Sequence, residues 1–323
     1  MLGLFVFSLS LGDLDFLIMT FVAVHGHRGA RGHAPENTLA GFETAVNLGV
    51  DSLEFDINVT SDSRIVIFHD QALNSSICRH AGGSWGSSSD QIVYKMSLQE
   101  LKQFDVGRLD PASNYGRAFS QQKCFDGQTI PTLQELAELL LELGKDKLNL
   151  NIEVKSDPLH PDSSPSPPEF SDLLLRELDE IGWIDQTWIQ SFDWRILQAI
   201  QSNISSVPTG YLTSSYVNLP PLSDNPDPSQ WLAGFDPFLY QGDLVSAIKE
   251  AGGHYWGPEH SELSKISINK AHCLGMEVHT WTVNEHKTIK RLCRLGIDGI
   301  TSDYPDRVLE VLSTPNLIVP KPA

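Results

Sequence analysis

Residues 25–70 read HGHRGARGHAPENTLAGFETAVNLGVDSLEFDINVTSDSRIVIFHD. Short apolar runs with a period of two alternate here with one longer run that has a helical period. Thr38 can cap the start of that helix, and Gly49 can end it. The pattern predicts four elements in order: strand 21–27, helix Leu39–Leu48, strand Ser52–Val59 and, after a polar turn, strand Ile65–His69.

The same alternation of strand and helix returns after residue 129. Parallel strands joined by crossover helices produce this order. With about eight strands in all, it predicts an α/β fold, a (β/α)8 TIM barrel. The predicted elements are helix Leu133–Leu143, strand Leu148–Lys155, helix Phe170–Ile181, strand Trp188–Phe192, helix Trp194–Gln201, strand Thr209–Thr213, helix Leu244–Ala251, strand Tyr255–Gly257, helix Lys265–Leu274, strand Glu277–Val283, helix His286–Leu295, strand Gly299–Ser302 and a last helix at about Arg307–Leu312.

The segment 71–129 lacks this barrel periodicity. Its one clear local signal is Ser97–Glu100, which has the pattern of a helix capping box. A long segment that follows a barrel strand lies over the carboxyl-end face, so we expect 71–129 to be an insertion that shapes the substrate site. Two further stretches, Asp157–Pro168 and Val217–Pro237, are rich in proline or serine and are predicted to be irregular.

Charged side chains mark the ends of the first strands. Glu54 and Asp56 alternate with apolar residues, so both carboxylates project to one side of their strand. Two carboxylates on one face suit a hard divalent cation such as Mg²⁺ or Ca²⁺. His27 and His69 lie where strands run into loops, which in a TIM barrel is the face that carries catalytic groups. Because histidine titrates near neutral pH, the two are candidates for general acid and general base.

These residues belong to a longer series of motifs that resembles the glycerophosphodiester phosphodiesterase family. The order and spacing of the motifs match over about Phe21 to Leu312. In sequence, the motifs are His27-Arg28-Gly29, Pro35-Glu36-Asn37-Thr38-Leu39, Glu54-Phe55-Asp56, His69-Asp70, Asn151-Ile152-Glu153-Val154-Lys155, Gln190-Ser191-Phe192-Asp193, Trp281-Thr282-Val283-Asn284 and Gly299-Ile300-Thr301-Ser302-Asp303-Tyr304-Pro305.

The resemblance implies an activity and a set of roles. The family is expected to cleave glycerophosphodiesters into glycerol 3-phosphate and an alcohol, with Mg²⁺ or Ca²⁺ as cofactor. Glu153 would join Glu54 and Asp56 as a metal ligand. Arg28 and Lys155 would hold phosphate oxygens. Trp281, at a strand end, is a candidate substrate-binding residue that would either pack against the substrate's glycerol or fill the top of the barrel. Which histidine is the acid and which the base stays open.

Composition restricts the partners. The chain has 323 residues and a net charge of −18, which argues against nucleic acid as a partner and against stable association with an anionic membrane. The resemblance implies a small-molecule glycerophosphodiester as the partner, and the oligomeric state is unknown. Four cysteines without paired spacing predict free thiols.

The ends of the chain are expected to lie outside the barrel. Residues 1–20 are read as an N-terminal extension, 21–313 as the barrel with its insertion, and 314–323 as a tail. No Lys or Arg precedes Arg28, so the positively charged start of a signal peptide is missing. We expect translation to start naturally at Met19 and the protein to be cytoplasmic, or periplasmic or secreted if residues 1–20 act as an atypical signal.

Three functions compete at this point. The first is a metal-dependent glycerophosphodiesterase. The second is a phosphodiesterase of the lysophospholipase D type on the same barrel, for which an exposed apolar lip or a basic amphipathic segment would be expected. The third is an inactive barrel that binds a phosphometabolite, which would have lost a histidine or a carboxylate. The segment 71–129 shows neither lipid-binding feature clearly, and every expected catalytic residue is present, so the first function is preferred.

Overall fold

Eight parallel strands among the described residues close into a barrel. The computed structural model describes residues 21–80, 82–86, 91–204, 206–214 and 229–314. Each strand pairs with its neighbours along the chain, and the first pairs with both the second and the last, which closes the sheet. The strands are β1 Ala23–His27, β2 Ser52–Val59, β3 Asn149–Val154, β4 Thr187–Ser191, β5 Thr209–Thr213, β6 Tyr255–Pro258, β7 Glu277–Thr280 and β8 Gly299–Ser302.

One helix follows each barrel strand, or follows the segment inserted after it. The predicted (β/α)8 TIM barrel is therefore confirmed. These helices are α1 Leu39–Leu48, α2 Leu133–Glu142, α3 Pro167–Glu180, α4 Trp194–Asn203, α5 Leu244–Glu250, α6 Lys265–Cys273, α7 His286–Leu295 and α8 Pro305–Leu312. Within the described ranges, no helix is long and apolar enough to cross a bilayer.

Capping residues and hydrophobic periodicity predicted most helix and strand boundaries. Thr38 caps α1 by accepting from Gly41 N, and Gly49 ends the helix with φ 92°. Helix α3 begins at Pro167, inside the stretch predicted to be a loop. The prolines at the start of α3 do not oppose the helix, because the first helical positions have no intrahelical partner for an N–H. Helix α8 likewise begins at Pro305, two residues before the prediction.

The predicted strand Ile65–His69 is not a barrel strand. Residues Ile65–Ile67 run antiparallel to the end of β2, with Ile57 opposite Ile67. This hairpin turns the chain back, and Phe68 N donates to Asp56 O over 3.0 Å. As a result, His69 lies at the level of Asp56. It reaches this position at the end of an antiparallel hairpin strand and not at the end of a barrel strand.

The segment 71–129 has a core of its own in the part of it that the structure describes. Strands Arg79–His80 and Phe104–Asp105 pair antiparallel, and helix Leu98–Leu101 begins with the predicted capping box of Ser97 and Glu100. A second helix covers Asn114–Ala118. The apolar cluster beneath is separate from the main one and comprises Val66, Phe68, Leu73, Ile77, Cys78, Val93, Leu101, Phe104, Val106 and Ile130.

Other short elements lie in the loops. Helix Ser229–Leu232 falls inside the predicted irregular stretch Val217–Pro237, whose residues 217–228 are outside the described part. The 3₁₀ turns are Val93–Lys95, Pro161–Ser163, Ile184–Gln186, Pro237–Tyr240 and His260–Glu262. The predicted extension 1–20, the start at Met19 and tail residues 315–323 also lie outside the described residues. The division into extension, barrel with insertion and tail stays a prediction.

Candidate active site

Three carboxylates converge inside the barrel mouth. Glu54 and Asp56 project from the same face of β2, and the register of β2 with β3 places Asp56 opposite Glu153. All three residues are at least 92% buried, and one oxygen of each lies within 4.8 Å of the others. Carboxylates from adjacent strands thus meet at one point, as the sequence predicted for Glu54 and Asp56 and the resemblance for Glu153.

The electrostatics of this cluster fit a divalent cation. Burial, together with the negative charges of Asp56 and Glu153, raises the pKa of Glu54 well above its ordinary value. Burial also opposes ionisation of Asp56, yet Lys155 and Arg28 hold its pKa well below the usual range. Among the described residues, seven carboxylates at or beside the cavity face three permanent cations, which leaves a deficit of positive charge. They are Glu36, Glu54, Asp56, Asp70, Glu153, Asp157 and Asp303 against Arg28, Arg31 and Lys155.

The donor atoms also decide which kind of ion fits. The cluster offers only carboxylate oxygens, the ligands that hard divalent cations prefer. A cation there would supply positive charge that favours the ionised form of Glu54. The residues present therefore fit a divalent metal site made of Glu54, Asp56 and Glu153.

Two basic side chains border the carboxylates. Lys155 Nζ lies 2.8 Å from Asp56 Oδ1 and also contacts Glu153. Arg28 Nε lies 3.2 Å from Asp56 Oδ2, and its Nη1 lies 2.8 Å from Glu36 Oε1. Arg28 has φ 50°, an unusual backbone conformation for a non-glycine residue. In this conformation its backbone N–H donates to Glu54 Oε2 over 3.1 Å.

His27 faces the carboxylates from the end of β1. The register of β1 with β2 places it opposite Glu54, and its Nε2 lies 3.9 Å from Glu54 Oε2. Its Nδ1 donates to Asp303 Oδ1 over 2.6 Å. Burial and the charge of Arg31 lower the pKa of His27 to about 4, against the opposing effect of Asp303. At neutral pH the ring is therefore neutral, with a free lone pair on Nε2.

His69 lies on the more open side of the cavity. About a third of its side chain is exposed. Its Nδ1 donates to Asp70 Oδ1 over 2.6 Å, and Asn74 Nδ2 braces the second oxygen of Asp70 at 2.9 Å. Both histidines thus have an aspartate behind Nδ1, which fixes the ring and leaves Nε2 for proton transfer.

The cavity has a charged end and an apolar end. Its volume is about 540 Å³. Phe192, Leu212, Trp231 and Trp281 line the apolar end. The Trp281 ring is fixed by a bond from Nε1 to Gly257 O of 2.9 Å and by an edge-to-face contact with Phe192 at 5.6 Å. The sequence prediction included Trp281, whereas it missed Trp231.

Several supporting residues were also missed. Asn37 Nδ2 donates to Asp56 Oδ2 over 2.9 Å, and Gln190 Nε2 donates to Glu54 Oε1 over 3.2 Å. Asp303 accepts from both His27 and Arg31. Asn37, Gln190 and Asp303 all lie within the motifs quoted above, so the signal was present, but no local pattern assigned them a role.

Comparison with known proteins agrees with this geometry. The model of the glycerophosphoryl diester phosphodiesterase family matches residues 27–307. "Putative glycerophosphodiester phosphodiesterase YhdW" of Bacillus subtilis is 32% identical over 88% of this chain and 95% of its own length. The crystal structure of a "putative glycerophosphoryl diester phosphodiesterase" from Silicibacter pomeroyi covers 91% of this chain and 93% of its own, with 34% identity and a TM-score of 0.79.

A third match was solved with a ligand. The phosphodiesterase of Oleispira antarctica, in complex with the product sn-glycerol-3-phosphate, is 25% identical. It covers 91% of this chain and 98% of its own, with a TM-score of 0.66. The family match spans most of the chain and includes each of the residues that converge on the cavity. The chain therefore belongs to the glycerophosphoryl diester phosphodiesterase family.

Proposed function

We propose that this protein hydrolyses glycerophosphodiesters to glycerol 3-phosphate and an alcohol, with a divalent cation bound by Glu54, Asp56 and Glu153. One observation carries the proposal: Glu54 and Glu153 line a single cavity with Arg28, Lys155, His27 and His69, and an oxygen of Asp56 lies within 4.8 Å of both carboxylates. Such a site can neutralise a phosphodiester and move a proton on each side of it. The Oleispira relative with bound sn-glycerol-3-phosphate supports the choice of substrate.

Each group has a distinct task. The cation, when bound, would neutralise the phosphate charge that otherwise repels a nucleophile. Arg28 and Lys155 hold phosphate oxygens and stabilise the charge that develops in the transition state. His27, which is neutral at pH 7, is suited to accept the proton of the attacking hydroxyl on Nε2. His69 then donates a proton to the oxygen of the leaving alcohol.

The family resemblance implies that the attacking group is the glycerol 2-hydroxyl. Its oxygen would bond to phosphorus as the bond to the alcohol breaks, and water would then open the cyclic phosphate. In this scheme the proton taken by His27 is matched by the one that His69 releases. The second step would return both rings to their starting states.

We further propose which ion, which kind of substrate and which compartment belong to this enzyme. The ion is Mg²⁺ or Ca²⁺, since both take carboxylate oxygens and differ in size and coordination number. The partner is a small molecule and not nucleic acid, in keeping with the net charge of −18. The proposed compartment is the cytoplasm. In the proposed complex, Trp281 packs against the substrate at the apolar end of the cavity.

A comparison of substrates tests the proposal. Purified protein with Mg²⁺ or Ca²⁺ is incubated with glycerophosphocholine or with lysophosphatidylcholine, and phosphate-containing products are separated. The expected result is glycerol 3-phosphate from the first substrate, with loss of activity in His27→Ala and not in His286→Ala, a surface control. Cleavage of lysophosphatidylcholine alone would replace the proposal with a lysophospholipase D activity.

A further inference from the structure

Tyr115 of the segment 71–129 reaches charged residues that surround the active-site cavity. Tyr115, on the helix Asn114–Ala118, donates its hydroxyl proton to Glu36 Oε2. The same hydroxyl oxygen accepts from Arg31 Nη1 over 3.0 Å. The hydroxyl therefore lies between a carboxylate and a guanidinium that both follow β1, at a distance of 79 residues in sequence from Glu36.

The Tyr115 ring is held firmly in this position. Ser113 caps the short helix by accepting from Gly116 N. Gly116 packs against the preceding loop so closely that a Cβ would lie 2.0 Å from Asp110 O, so no other residue fits there. The ring contacts Phe119 edge to face at 5.3 Å, and the Arg31 guanidinium lies 4.9 Å above Phe119. The hydroxyl is thus aimed by packing, which is the condition for a positioning role.

Both partners of the hydroxyl act on groups already placed in the site. Glu36 accepts from Arg28 Nη1 at 2.8 Å and so orients the guanidinium that faces Asp56. Arg31 donates to both oxygens of Asp303, at 2.7 and 3.1 Å, and Asp303 in turn accepts from His27. One hydroxyl therefore connects Arg28, the proposed phosphate-binding residue, with Asp303, the aspartate that fixes the His27 ring.

We propose that Tyr115 is a positioning residue that sets the orientation of Arg28 through Glu36 and of Asp303 through Arg31. This inference rests on the proposed function, because it concerns how that same site holds its substrate. The segment 71–129 would then contribute to catalysis through the Tyr115 hydroxyl, which is not needed to form the segment's own apolar core. Tyr115 does not touch the reacting atoms in this scheme.

The test removes the hydroxyl and keeps the ring. Tyr115→Phe is compared with Tyr94→Phe, the same change at a half-buried tyrosine of the same segment, in the turn Val93–Lys95. Hydrogen bonds to charged groups are strong, so we expect KM for glycerophosphocholine to rise about 10- to 100-fold in Tyr115→Phe. The Kd for sn-glycerol 3-phosphate should rise by a similar factor, while kcat falls less. Tyr94→Phe should match wild type.

A double-mutant cycle separates positioning from packing. If Tyr115 acts through Glu36, Tyr115→Phe should have little further effect on KM in a Glu36→Gln background. Thermal unfolding checks that each variant is folded. An active wild type with unchanged KM and Kd in Tyr115→Phe, or full additivity with both Glu36→Gln and Arg31→Lys, would overturn the inference. A wild type inactive on every glycerophosphodiester would overturn the proposed function itself, which is a distinguishable result.

Discussion

Substitution of Asp303 by asparagine should prevent His27 from acting as a base while the carboxylates Glu54, Asp56 and Glu153 stay in place. The carboxylate of Asp303 is 98% buried and accepts from His27 Nδ1, from two nitrogens of Arg31 and from Asn284 Nδ2 at 2.7 Å. Burial alone would raise its pKa, yet the charges of His27 and Arg31 hold that pKa far below the usual range. An amide has one acceptor oxygen and an NH₂ group, so it cannot serve both His27 and Arg31.

The size of the effect follows from that mismatch. If the NH₂ group faces His27, Nδ1 must accept and Nε2 then carries the proton, so the ring cannot take a proton from the attacking hydroxyl. A positioned acid or base contributes roughly 10²- to 10⁴-fold to the rate, so kcat should fall by about that range in Asp303→Asn. One lost hydrogen bond to a charged group should also lower the free energy of unfolding by about 1.5–3 kcal/mol.

Steady-state kinetics and urea denaturation measure these two quantities. Asp306→Asn is the matched control, because Asp306 is the same residue type three positions along and pairs with His33 at the surface. That variant should retain wild-type kcat. If a folded Asp303→Asn protein has kcat within threefold of wild type, the role given to Asp303 and to the neutral His27 ring is wrong.

Three further changes test other parts of the site. Gln190→Leu removes the bond to Glu54, so the cation Kd measured by calorimetry should rise about 10- to 100-fold; an unchanged Kd would contradict this. Lys155→Met removes the cation beside Asp56, and kcat/KM should fall about 100-fold or more, whereas a tenfold change or less would exclude a phosphate contact. Burial and the neighbouring His279 lower the pKa of His25, so below about pH 6.5 the unfolded chain binds a proton there that the folded chain does not. The free energy of unfolding is therefore highest above about pH 6.5 and falls by up to about 1.4 kcal/mol per pH unit below it. Denaturation from pH 7.5 to 5.0 should show a shallower loss in His25→Gln than in the surface control His286→Gln, and equal slopes would refute the assignment.

Local chemistry explains which parts of the fold were predictable. The bounds of α1, β2 and α7 follow from capping residues and from periodicity, which act over a few residues. The start of α3 was missed because its prolines were taken as breakers, although they occupy the one part of a helix that tolerates them. Ile65–Ile67 has the composition of a barrel strand, and only its hairpin with β2 shows that it lies outside the barrel.

The candidate site divides in the same way. Alternation along one strand is enough to place Glu54 and Asp56 on one face, while the approach of Glu153 depends on the register between β2 and β3. Asp303 reaches His27 across 276 residues, and Tyr115 reaches Glu36 across 79. Such contacts are fixed by closure of the barrel and by packing of the inserted segment, so no pattern in the neighbouring sequence indicates them.

If Glu54, Asp56 and Glu153 hold a catalytic cation, activity must depend on a divalent metal. Protein dialysed against EDTA is assayed for glycerol 3-phosphate release from glycerophosphocholine, alone and after addition of Mg²⁺ or Ca²⁺, beside Glu54→Gln. We expect no activity after EDTA, recovery with one or both ions, and no recovery in Glu54→Gln at the ion concentration that restores wild type. Activity that survives EDTA, or that returns fully in Glu54→Gln, would contradict a catalytic cation held by Glu54, Asp56 and Glu153.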